Sequence, residues 1–118
     1  MYANNLQLAN WYLSQAHNAL VQKDFAAAKA MAETALSLDR SSKAFNILGI
    51  CLRELLDYPL ALVCFDESLK IQPDQTEARL NKTTTLKMIG KLYNLKPVFE
   101  NEIMGRAIFV REEGNNAQ

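Results

Sequence analysis

The stretch from Phe45 to Pro73 constrains the fold more than any other part of this chain. It reads Phe45-x-x-Leu48-Gly49-x-x-Leu52, then Ala61-x-x-x-Phe65, then Pro73. Apolar residues at three- and four-residue steps make one face of a helix, here twice in succession. Gly49 lets two helix backbones approach closely, the bulky residues beside it fill the gap, and Ala61 gives the second helix room against the first. Pro73 ends the unit, because a proline cannot continue a helix.

The same plan recurs on both sides. Leu6, Ala9, Leu13, Ala16 and Leu20 share one helical face and predict a first helix from about Asn5 to Gln22, capped by Asn4 or Asn5, with Trp11 and Tyr12 anchoring it. Lys23-Asp24 makes a short turn, Asp24 caps a second, Ala-rich helix to about Leu38, and alanine favours both helicity and close approach. Ser41 or Ser42 caps the third helix to about Leu55, and Asp57 caps the fourth to about Ile71. Asp57-Tyr58 repeats Asp24-Phe25, Ala61 repeats Ala28 and Gly49 repeats Ala16, each 33 residues apart. Arg40-Ser41, in a connecting loop, is the natural place for the residue by which the first unit falls short of 34.

The third unit departs from the plan. Leu86 repeats Leu52, Leu92 repeats Tyr58 and Phe99 repeats Phe65 at 34 residues, but Thr83 replaces Gly49 and Leu95 replaces Ala61. Asp74-x-x-Glu77 reads as a capping box and Gly90 as the end of the fifth helix. Pro97 is tolerated only in a helix's first turn, so the sixth helix is expected to start near Asn94 and run to about Glu112, before a polar tail over 113–118.

The spacing of Phe45, Leu48, Gly49, Leu52, Ala61, Phe65 and Pro73 resembles the tetratricopeptide repeat family, whose unit is a helix–turn–helix of about 34 residues. The resemblance implies an all-α fold, a right-handed α-solenoid of three repeats and about six antiparallel helices in one domain over 1–118. The repeats span about 5–40, 42–73 and 74–112. In that family the first helices of successive repeats line a concave groove that receives a peptide. Carried over, the groove face holds Asn10, Leu13, His17 and Leu20, then Lys43, Asn46, Ile50 and Arg53, then Glu77, Leu80, Thr84 and Lys87. Asn46 is expected to hold a peptide backbone while Leu13, Ile50 and Leu80 meet side chains. Family members that grip acidic chaperone tails use Lys, Asn, Asn, Lys and Arg. Here those positions are Leu13, His17, Ile47, Glu77 and Asn81, which excludes that ligand.

Composition narrows the classes further. Thirteen basic side chains balance thirteen acidic ones, so no basic excess favours nucleic acid or an anionic membrane. The longest apolar run, Leu60 to Phe65, is six residues, too short for a membrane span, and the first residues lack a secretion-signal pattern. Cys51 and Cys64 read as small buried hydrophobes of a reducing, cytoplasmic setting, not as a disulfide or metal pair. The sole histidine, His17, lies three residues after Ser14 without an orienting carboxylate, and no phosphate loop, HExxH or nucleophile elbow occurs. No catalytic residue, metal or cofactor is expected.

The expected function is therefore non-catalytic protein–protein interaction, as an adaptor or scaffold whose partner is another protein or peptide. Two alternatives follow from other features. Val98, Phe99, Ile103, Met104, Ala107, Ile108, Phe109 and Val110 would point around more than one face of a final helix. Consecutive Ile108, Phe109 and Val110 thus make a candidate self-association surface for a homodimer, unless the helix bends inward at Gly105. Small three-repeat members of the family also hold secreted subunits before export, which implies a single-partner chaperone as the other alternative.

Overall fold

The computed structural model describes residues 4–101 and 106–111, and it is mostly helical with a small two-stranded sheet. The order is α1 (Asn5–Val21), α2 (Phe25–Leu38), α3 (Ser42–Glu54), α4 (Tyr58–Ile71), α5 (Thr76–Tyr93), β1 (Leu95–Asn101) and β2 (Arg106–Arg111).

Local chemistry starts the first four helices. The backbone N–H groups of Gln7, Ala27, Ala44 and Leu60 donate to the side chains of Asn4, Asp24, Ser41 and Asp57, at 2.9 to 3.3 Å. Each bond satisfies one of the donors that a helix start leaves open. The α1–α2 and α3–α4 turns are copies, 33 residues apart. Lys23 (φ 61°) and Leu56 (φ 71°) are both left-handed, and the next residue's N–H reaches back to Ala19 O and Leu52 O at 2.9 and 2.8 Å. That backward bond from beyond a left-handed residue closes a helix end by satisfying its last carbonyls.

The helices pack in sequence order, each against the next, and α3 also touches α1 and α5. Thus α1, α3 and α5 form one layer and α2 and α4 the other. Leu13, Ala16, Ala28, Ala32, Ala35, Phe45, Leu48, Cys51, Leu52, Ala61, Cys64 and Phe65 are buried between them. Phe65 is fully buried against Gly49, where a β-carbon would lie 2.5 Å from its ring. Ser42 and Ser68 join α3 to α4 in the same interior, each hydroxyl donating to or meeting the other residue at 2.8 to 3.0 Å. Of the two expected anchors of α1, Tyr12 packs on the core, and Trp11, 39% exposed, meets the Tyr12 ring edge-on.

The carboxyl-terminal part corrects three expectations. The fifth helix passes Gly90 and runs to Tyr93, where Asn94 (φ 58°) closes it in the left-handed region. Its start is not a capping box, since Gln75 is the N-cap and makes no side-chain cap bond. Most importantly, the expected sixth helix is a β-hairpin, so the described residues hold five helices rather than six. The physical reasons are local. Lys96 precedes Pro97, which disfavours helical backbone there, and Val98, Phe99, Ile108, Phe109 and Val110 are β-branched or aromatic. Gly90 lets this strand fold back, with its Cα facing Leu95 O and Pro97 Cδ where a β-carbon would stand 2.5 and 3.1 Å away.

In the antiparallel register Lys96 faces Val110, Pro97 faces Phe109, Val98 faces Ile108 and Phe99 faces Ala107. Leu95, Pro97, Phe99, Ala107 and Phe109 are half-buried, whereas Lys96, Val98, Arg106, Ile108 and Val110 are exposed. Ile108, Phe109 and Val110 therefore alternate across a strand instead of crowding one side of a helix. The bend at Gly105, the roles of Ile103 and Met104, and the polar tail lie outside the described residues.

Candidate functional site

The α1, α3 and α5 layer encloses a cleft of about 710 Å³. Leu13, Ser14, His17, Asn18, Leu20 and Val21 come from α1, Lys43, Asn46, Ile47 and Ile50 from α3, and Glu77, Leu80 and Asn81 from α5. Residues three and four apart on each helix supply the lining, as one helical face must. The apolar members sit beside amides and one charge of each sign, the mixture expected of a site that buries side chains and orients polar groups.

Of the twelve residues expected on the groove face, Leu13, His17, Leu20, Lys43, Asn46, Ile50, Glu77 and Leu80 line this cleft, and Asn10, Arg53, Thr84 and Lys87 do not. Their exposure differs sharply. Leu80 is 59% exposed and His17 is open to solvent, whereas Leu13 belongs to the core. Asn46 is 3% exposed, so it cannot offer its amide to a ligand's backbone as expected. Instead Asn46 Nδ2 donates to Glu77 Oε2 at 3.4 Å, and its Oδ1 accepts from Asn81 Nδ2 at 3.0 Å. Arg53 Nη1 donates to Asn81 Oδ1 at 3.2 Å.

These bonds make one polar ladder, Arg53–Asn81–Asn46–Glu77, that fixes α3 against α5 along the cleft floor. Arg53 thus braces the wall from beyond the cleft. Thr84 and Lys87 are exposed farther along α5 and do not line it. Sequence reasoning took Asn81 only as a failed clamp position and missed its bridging role. The signal available was its place four residues after Glu77, on the same face. Beneath this layer Lys82 pairs with Asp66 at 2.5 Å, joining α5 to α4.

No group of three or more metal-ligating side chains occurs among the described residues, and no described helix is long and apolar enough to cross a membrane. Burial pushes the thiols of Cys51 and Cys64 up to about 11, with neighbouring carboxylates adding to the rise. Both cysteines are therefore protonated packing residues near neutral pH, poor as nucleophiles or ligands. Compared with known families, with curated proteins and with solved structures, the chain gives no match.

Proposed function

We propose that this chain is a protein-interaction module: a tetratricopeptide-like array, solenoidal in its stacking, whose α1–α3–α5 cleft receives a segment of another protein. The observation that carries this reading is the cleft itself. A helix layer that left Leu80 and Ile50 open beside His17, Lys43 and Glu77 gains most by covering them with a partner's apolar side chain. The rigid ladder beneath supports the same reading, because a pre-ordered floor lowers the entropy lost on binding. The Phe45–Pro73 spacing and the duplicated turns at Lys23 and Leu56 support the repeat assignment. The role is that of an adaptor or scaffold in the cytoplasm, without cofactor or metal.

The test is selection of binders from a random peptide display library, followed by titration of selected peptides. Leu80→Asp should weaken capture about tenfold or more, the loss of one interface anchor of about 1.4 kcal/mol or above, with an unchanged melting curve. Methyl shifts on Ile50 and Leu80, and not on Leu92, should accompany binding. Peptides that bind wild type and Leu80→Asp alike, or that shift only Leu92, overturn the assignment.

A further inference from the structure

Among the described residues, nine of the fourteen exposed large apolar side chains lie on the α3–α4 turn, α4, the end of α5 and the hairpin, and none of the nine lines the cleft. They are Leu55 and Leu56 in the α3–α4 turn, Leu60 and Val63 on α4, Leu92 and Tyr93 at the end of α5, and Val98, Ile108 and Val110 on the hairpin. Three of them, Leu56, Leu92 and Tyr93, line a recess, and three, Val98, Ile108 and Val110, lie on the hairpin. Leu56, Tyr58, Pro59, Ile89, Leu92 and Tyr93 enclose a second cleft of about 320 Å³. The hairpin follows Tyr93 after Asn94 and packs chiefly on α5, and among the described residues Val98, Ile108 and Val110 on its outer face are exposed.

We infer that the chain forms a twofold dimer in which the hairpin of each copy covers the α4–α5 recess of the other. Three observations select a second copy as the occupant. One chain carries both an apolar recess and an apolar projection, the self-complementarity that a twofold interface demands. Leu56, Leu92 and Tyr93 are 63 to 71% exposed around the recess, an open apolar surface of the kind that marks an association site. Charge agrees as well. Glu54 and Asp57 are exposed on the α3–α4 wall, and Lys96, Arg106 and Arg111 are exposed on the hairpin. A two-stranded hairpin is marginal by itself, and a second covering surface completes it.

Sedimentation equilibrium of the full chain is the test. Wild type should reach twice 13.3 kDa at about 100 µM. Leu92→Glu, on the recess, and Ile108→Glu, on the hairpin, should each return the monomer mass with the helical signal retained. Mixing L92C and I108C, each made in a Cys51→Ala, Cys64→Ala background so that it carries one cysteine, under mild oxidation should give a linked heterodimer. Wild type that stays monomeric overturns the proposal. So does a dimer that both Glu variants leave intact, or cross-linking confined to I108C with itself, which marks hairpin-to-hairpin pairing.

Discussion

Gly49 and Phe65 show how narrow the tolerance of the core is. A methyl at Gly49 would meet three ring atoms of Phe65 within 3 Å, and that ring is fully buried with nowhere to turn. Overpacking of this kind costs about 1–3 kcal/mol, and the helix propensity gained by alanine returns about 1 kcal/mol. Gly49→Ala should therefore lower the unfolding free energy, read from urea denaturation, by a net of up to about 2 kcal/mol; a rise would mean that the ring yields. The two cysteines add a pH dependence. Their ordinary value is 9.0 and burial lifts it to about 11, so the folded state holds these protons more tightly than the unfolded chain. That contribution is complete below about pH 9 and is lost as pH rises through about 11. Denaturation midpoints between pH 8 and 11 should fall more steeply for wild type than for a Cys51→Ala, Cys64→Ala double variant. The difference between the two proteins reports the thiols.

Among elements, α5 is the exception. Four helices open with a side chain bonded to a backbone N–H, and α5 opens on Gln75 without one. Gln75→Asp should raise stability by about 0.5–1 kcal/mol, and Asp57→Ala should lower it by about 1 kcal/mol, both read from thermal melts. The same contrast explains what the sequence made legible. Asn4, Asp24, Ser41 and Asp57 act on neighbours three residues away, so a local reading finds them. Asp74 and Glu77 have the spacing of a cap, but the chain enters α5 one residue later and Glu77 turns to Asn46. The hairpin was hidden because Val98, Phe99, Ile108, Phe109 and Val110 suit either a short helix or alternating strands. Only Lys96-Pro97 and the left-handed Asn94 decide between them. The resemblance put Leu13, His17, Ile50 and Leu80 on one face of successive first helices, and these four do line the cleft. It failed at Asn46 and Arg53, whose environment depends on Asn81 from another helix.

For the whole molecule, burial is concentrated in the α2–α3–α4 centre and thins toward the hairpin, whose inner face is only half-buried. Opening free energies should follow that gradient. Hydrogen exchange read by mass spectrometry should show α3 and α4 exchanging last and the Leu95–Asn101 amides first. Concentrations that populate the inferred dimer should slow the hairpin selectively. Equal protection of hairpin and α3 at low concentration would contradict the gradient.

Leu56 carries a consequence of a different order. It is a leucine held at φ 71° and 71% exposed, unfavourable in backbone conformation and in hydration at once. Glycine at that position relieves the backbone strain and should stabilise the isolated chain by about 0.5–1 kcal/mol, measured by urea denaturation of dilute protein. It should also remove one wall of the α4–α5 recess. Leu56→Gly should thus steady the dilute chain and weaken the inferred dimer, two opposite effects of one substitution.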